Sequence, residues 1–167
     1  PARVISDPKY DWCYETEPQA NLAGRKIAWT RGKTLGGSSS LNGMVYIRGH
    51  ARDYDLWAQR GLTGWSYDDI LPYFKKAEHN EEHDDEYHGQ NGPLNVSKIR
   101  NDNLFTDDFV AAGSKIHKFN KDFNGEDQEG VGYYQTTQKN GKRCSAAKAY
   151  LVPALERDNL TVLTDTN

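Results

Sequence analysis

Residues Gly32 to Gly43, read Gly-Lys-Thr-Leu-Gly-Gly-Ser-Ser-Ser-Leu-Asn-Gly, restrict this chain more than any other stretch. Paired glycines allow backbone with φ > 0 and let a ligand approach where no Cβ stands in the way. Three serines add hydroxyls, and successive amide N–H groups at such a bend can form an anion-binding concavity. If the apolar run from Leu41 onward starts a helix, its N-terminus favours a phosphate as well. Arg31 and Lys33 stand at the entrance. The stretch therefore reads as a cradle for a phosphorylated ligand. The competing reading is a flexible Gly/Ser linker, but Ile27-Ala28-Trp29 before it and Met44-Val45-Tyr46-Ile47 after it are apolar, unlike linker flanks. Gly32-Lys33-Thr34 resembles the end of a P-loop, yet that loop needs a glycine where Ile27 stands, so a triphosphate wrap is excluded.

A chain of 167 residues, 36% hydrophobic and 27% charged with net charge −3, has the balance of an ordinary globular protein and lacks the basic stripe of a nucleic-acid binder. No run approaches the roughly 18 apolar residues of a membrane span, and Pro1 to Tyr14 carries no signal-peptide core. Cys13 and Cys144 follow no metal-ligand spacing and make no disulfide framework, which predicts a reducing compartment. A cytoplasmic, at most membrane-peripheral, location is the expectation.

Along the chain, Tyr10, Trp12 and Tyr14 alternate like a short strand, and Lys26 to Trp29 predicts a second one entering the glycine loop. Helices are predicted from Asp53 to Gln59 and from a Ser66 N-cap, with Asp69 three residues on, to Glu78-His79. His79, His83 and His88 lie among six carboxylates, but without metalloprotease spacing or an aliphatic scaffold the run reads as a solvated acidic loop and no metal site. Leu94 to Val96 predicts a strand. Leu104 to His117 predicts an amphipathic helix whose Phe105, Phe109, Ala112, Gly113 and Ile116 face the core. Asp122, Asn124 and Asp127 fail the calcium-loop pattern, since Asp127 and Tyr133 occupy the glycine and glutamate positions. Val131 to Gln138 predicts a strand, Asn140-Gly141 a hairpin turn, Ser145 to Leu151 a helical run, Pro153 a break or fresh start, and Leu160 to Thr164 a final strand. The fold class is α+β, and the chain contains no strand-then-GxGxxG dinucleotide fingerprint.

Arg31 to Gly49 closely resembles the first signature of the glucose–methanol–choline (GMC) oxidoreductases, most strongly the choline dehydrogenase-like branch. The resemblance continues through Asp53, Trp57, the Gly64-Trp65-Ser66-Tyr67 to Glu78 helix, His88 to Leu94, Gly141 to Ala147, and Tyr150 to Val162. It implies a flavoenzyme that oxidises an alcohol to an aldehyde or ketone with FAD. Carried over, Gly32, Gly36, Gly37 and Ser38 belong to the stretch along the pyrophosphate and ribityl chain, and Asn42, Gly43, Met44 and Val45 lie nearer the flavin ring. Leucine replaces, at Leu41, the histidine that tethers flavin covalently in some relatives, which implies non-covalent FAD.

The resemblance also implies a middle fragment of a two-domain FAD/NAD(P)-binding-type flavoenzyme. Residues 1–60 fall to the FAD domain, 61–140 to a substrate domain with an antiparallel sheet, and 141–167 to the FAD domain again. The family's GxGxxG unit and its catalytic histidine lie outside this chain, so no residue here is expected to be catalytic. The fragment's partners are the missing N- and C-terminal portions of the same enzyme and a small alcohol, and alone it is expected to bind FAD weakly or not at all. Two other readings stay open: a hydroxynitrile lyase-like enzyme on the same scaffold, and a non-catalytic FAD-binding remnant.

Overall fold

The computed structural model describes residues 4, 6–100 and 103–166; the first residues of the expected irregular N-terminal segment (1–3 and 5) and Asn167 lie outside the description. Helices and strands are mixed, as an α+β pattern predicts, and the chain divides into two compact units. One is built from Pro1–Gly43 with Cys144–Asn167, the other from Met44–Arg143.

In the discontinuous unit, β1 (Tyr14–Glu15) pairs antiparallel with β2 (Ala28–Trp29). The ladder extends past both strands: Trp12 N–H donates to Arg31 C=O, and Asp11 bridges Gly32. The strand expected over 10–14 forms only in part: Tyr10 lies in a turn, Cys13 takes φ +52°, and strand proper begins at Tyr14. No helix starts at Leu41, so the conditional helix-N-terminus contribution to phosphate binding is absent. A 3₁₀ turn, Gly37–Ser40, takes its place, followed by extended chain. Ala147–Leu151 forms a π turn that runs on without a break into Val152–Ala154, and Pro153, which has no N–H to continue the ladder, stands near the end of the run. Leu160 to Thr164 is not a strand; among the described residues none pairs with it, and an alternating sequence without a ladder partner stays irregular.

The second unit holds a four-stranded sheet in the order β3 (Val45–Tyr46), β6 (Gln135–Thr136), β5 (Leu94–Lys98), β4 (Glu78–Asn80). Its β3–β6 and β6–β5 pairs are antiparallel and its β5–β4 pair is parallel, so the sheet is mixed and not wholly antiparallel as expected. The hairpin β7 (Gln138–Lys139) and β8 (Lys142–Arg143) turns on Asn140-Gly141, both at positive φ as a type I′ turn requires.

Its first two helices have reciprocal caps. α1 (Ala51–Gln59) starts at His50, with Asp53 reaching back, and α2 (Tyr67–Ala77) at Ser66 with Asp69. Acids in the first turn of α2 and Lys75 and Lys76 in its last complement the helix dipole. α2 runs directly into β4, and the Gly89–Gly92 turn packs against that junction so closely that a Cβ on Gly89 or Gly92 would collide with the backbone of Lys75 or Ala77.

α3 (Leu104–Gly113) is shorter than predicted and turned the other way. Phe105 is 84% exposed and Phe109 71%, while Val110 alone of the helix is buried. Most of the apolar stripe therefore faces outward, while Gly113 near its end lies against Val131. Among the described residues the buried set of this unit is mostly polar: Glu78, Asn80, His88, Asn95 and Thr136 are enclosed beside the apolar Val96 and Val110, while Cys144 and Ala149 are buried in the discontinuous unit.

Candidate functional site

The β1–β2 ladder ends at the glycine loop. Asp11, buried, holds the crossing strands by accepting N–H groups of Ser6, Cys13 and Arg31, and the bonds from Cys13 and Ser6 lead in holding its carboxyl below the usual range. Beyond it the loop folds back on itself. A Cβ at Gly32 would collide with the carbonyl of Gly37, and Gly36 lies at φ +86°, which an L side chain rarely adopts. Gly37 N–H bonds Thr34 C=O, and Leu41 and Asn42 N–H both bond Ser38 C=O.

The serines divide their work. Ser39 and Ser40 donate their O–H groups inward, to Gly36 and Leu35 C=O, while Ser38 Oγ accepts Gly32 N–H at 3.1 Å. Ser38 therefore suits an acceptor ligand better than its neighbours do, a distinction that residue types alone do not make. On the Cβ side of Gly37 and of Gly43 no atom lies within 4 Å. The loop is folded tightly on one face and open at these two glycines, the shape a backbone needs to let a bulky cofactor come close. The residues present fit such a group.

Arg31 and Lys33 stack over Trp29 and Trp12, each 4.9 Å from the ring centroid. An open groove of about 570 Å³ beside the loop is lined by Lys9, Trp12, Lys33, Thr34 and the 163–166 stretch, a basic wall suited to an anionic ligand. Met44 and Val45 begin the other unit. Met44 takes φ +64°, an uncommon conformation for a residue with a side chain, and its carbonyl accepts Thr137 N–H; Val45 lies in β3, half exposed. Gly32, Gly36, Gly37, Ser38, Asn42 and Gly43 are thus gathered in one unit.

The 78–88 run is not a solvated loop throughout. Glu78 is fully buried and accepts Arg48 Nη2 at 2.6 Å and Gly89 N–H at 3.0 Å. His88, also buried, meets Glu78 Oε1 through Nδ1 at 3.2 Å and Asp122 Oδ2 through Nε2 at 3.0 Å. Asn80 joins Glu78 to Gln135. Asn124 N–H bonds Asp122 and its side chain accepts Arg48 N–H, tying the loop to the strand exit. Burial alone opposes a charged imidazole at 88, but the bonds to Asp122 and Glu78 outweigh it and raise its pKa to about 9. Arg48 and His88 against Glu78 and Asp122 make a balanced quartet, which locks this unit and leaves no free base for proton abstraction.

His83, Asp85 and Asp122 bring ligand atoms within 4.8 Å of one another. The His88 imidazolium beside Asp122 opposes a cation there. Sequence reading missed this quartet, although Arg48, Glu78 and His88 all fall inside the blocks that carry the family resemblance. The remaining histidines are otherwise engaged or exposed: His50 caps α1, His79 bonds the Gln90 carbonyl, His83 stacks on His88, and His117 faces water.

A family model described as GMC oxidoreductase matches residues 14–167. The chain is 49% identical over 155 residues to an oxygen-dependent choline dehydrogenase of Brucella anthropi, covering 92% of this chain and 28% of that protein. It is 46% identical over 168 residues to an alcohol dehydrogenase [acceptor] of Pseudomonas putida, covering 99% of this chain and 30% of that one. An FAD-dependent oxidoreductase from Chaetomium thermophilum superposes with a TM-score of 0.85 at 26% identity, over 98% of this chain and 32% of its own. The chain thus spans less than a third of the length of the relatives it matches. With nearly all of its residues matched, it belongs to the GMC oxidoreductase family, whose members are FAD-dependent oxidoreductases.

Proposed function

We propose that this chain is the middle portion of an FAD-dependent enzyme of the choline dehydrogenase type, which oxidises an alcohol to an aldehyde or ketone. The observation that carries the reading is the folded glycine loop, closed by its own hydrogen bonds yet open at Gly37 and Gly43. In this assignment Gly32, Gly36, Gly37 and Ser38 hold the pyrophosphate side of FAD, and Asn42, Gly43, Met44 and Val45 the flavin side. FAD, when bound, supplies the acceptor for the hydride that leaves the alcohol carbon. The hydroxyl proton is assigned to a base in the C-terminal portion of the longer enzyme; His88, held between two carboxylates, is not that base. Leu41 has no nucleophilic nitrogen, so the flavin is held without a covalent bond.

The FAD domain is assigned to residues 1–60 with 141–167 and the substrate domain to 61–140, whereas the compact units divide after Gly43 and after Arg143. The many large apolar side chains left at the surface, Phe105, Phe109 and Leu163 among them, are assigned to contacts with the rest of the longer enzyme. We place that enzyme in the cytoplasm, at most peripheral to a membrane; no described helix is long and apolar enough to cross one.

The test uses full-length protein. Anaerobic addition of choline and a panel of primary alcohols is expected to bleach the visible flavin band, and acid precipitation to release all flavin to the supernatant. A band that no alcohol bleaches refutes the dehydrogenase; flavin that stays with the precipitate refutes non-covalent binding. Gly37→Val, which fills the open side of the loop, is expected to abolish FAD binding.

A further inference from the structure

Ser39 connects the glycine loop to a second stretch of sequence. Its hydroxyl donates to the Gly36 carbonyl and accepts the backbone N–H of Ala146 at 2.9 Å, a residue 107 positions away. Ala146 precedes the Ala147–Leu151 turn and has no side chain able to cap it. At the turn's own start Ser145 Oγ accepts Lys148 N–H at 3.4 Å; the Ala146 N–H is accepted in addition by a serine elsewhere in the chain. The same junction is close-packed: a Cβ on Gly36 would stand 3.1 Å from both Ala147 N and Cβ. The neighbouring serines differ, since the bonds of Ser38 to Gly32 and of Ser40 to Leu35 stay inside the loop.

We propose that Ser39 is a positioning residue for the cofactor cradle: by tying Gly36 to Ala146 it fixes the backbone of the Gly36–Gly37 bend, and through it the affinity for FAD. The proposal rests on the reading of this loop as the FAD cradle. It assigns to Ser39 no contact with the cofactor, because its proton is already given to Gly36. Ala147 backs the bend as a small side chain that leaves Gly36 its place. Cofactor affinity is then set partly by the Ser145–Ala147 segment, which carries no glycine or charge that would mark it as a binding element.

The experiment titrates FAD into full-length apoprotein, followed by quenching of flavin fluorescence, with amide hydrogen exchange at Gly36, Gly37 and Ala146 as a second readout. Ser39→Ala is expected to weaken FAD about tenfold, the worth of one hydrogen bond held in a preformed site, and to speed exchange at Ala146 in the apoprotein. Ser39→Thr, which keeps the hydroxyl, restores binding to within about twofold, and Ser40→Ala leaves Ala146 exchange unchanged. Ala147→Leu, pressing on Gly36 with the hydroxyl intact, also weakens FAD.

A purely structural Ser39 would lower the melting temperature of Ser39→Ala without moving its FAD affinity, and that result overturns the proposal. Should Ser39→Ala not fold, a folded Ala147→Leu with wild-type affinity overturns it instead. If wild-type protein binds no FAD, or Gly37→Val binds it normally, the cradle reading fails and the proposal with it. Loss in Gly37→Val with full binding in Ser39→Ala sinks the proposal alone.

Discussion

The protonated state of His88 can be tested through stability against pH. Its pKa of about 9 in the folded chain compares with an ordinary 6.5. At about 1.4 kcal/mol per pH unit, that gap amounts to about 3 kcal/mol. The folded pKa is raised, so this contribution is complete below about pH 6.5. Between about pH 6.5 and 9 the unfolded chain has released the proton and the folded one still holds it, and stability falls by up to about 1.4 kcal/mol per pH unit. Above about pH 9 the contribution is gone.

The groups facing the ring are Glu78 and Asp122 in hydrogen-bond contact, Asp85 at 4.0 Å and His83 stacked on it, with Arg48 behind Glu78. Burial pushes the Glu78 and Asp122 carboxyls up, but the bonds from His88 and nearby backbone N–H groups prevail and hold both below the ordinary range. Their contribution is lost as pH falls through those lowered values, which sets the acid limb. Urea unfolding from about pH 2 to 10, beside an NMR titration of the His88 ring, measures both limbs. A His88 ring that titrates at or below about 6.5, or an alkaline slope that His88→Gln retains in full, refutes the reasoning.

Three further outcomes follow from the same contacts. Arg48→Met leaves Glu78 buried without its cation and is expected to cost about 3–5 kcal/mol in urea unfolding. Gly92→Ala drives a Cβ into the backbone at the α2–β4 junction and is expected to cost more than about 2 kcal/mol, read as a fall in melting temperature, whereas Gly24→Ala, in open space though at positive φ, costs about 1 kcal/mol. The double change Phe105→Ser and Phe109→Ser is expected to shift the urea midpoint of the 167-residue chain by less than about 0.5 kcal/mol while reducing its binding of a hydrophobic dye, because both rings already face water.

Local chemistry made the helices at Ala51–Gln59 and Tyr67–Ala77 and the Asn140-Gly141 hairpin legible, since a cap or a turn acts on residues three or four apart. Periodicity revealed the stripe on α3 but not its direction. An amphipathic pattern says that one face is apolar, and what covers that face depends on chain that is not local to it. The alternation at Leu160–Thr164 misled for the same reason, because a strand exists only with a partner to complete its ladder. In the acidic run, composition treated each charge as solvated. Its pairing partners, Arg48 and Asp122, lie about thirty residues away on either side, and burial of the whole quartet turned repulsion into a lock. The glycine loop was legible as a bend with an open side; that Ser38 alone of the three serines accepts from Gly32, and that Ser39 reaches Ala146, required coordinates.

The discontinuous unit also imposes an order on synthesis. The glycine loop leaves the ribosome ahead of its partner: the Ala146 amide that Ser39 accepts emerges only after Met44–Arg143 has followed it out. Closing a flexible loop of that length costs about 4 kcal/mol of chain entropy. Met44 C=O accepts Thr137 N–H within the intervening unit, so folding that unit first draws its own two ends together and shortens the gap to be closed. A nascent chain arrested before Ser145 would therefore hold a finished sheet and a glycine loop still lacking its tie to Ala146.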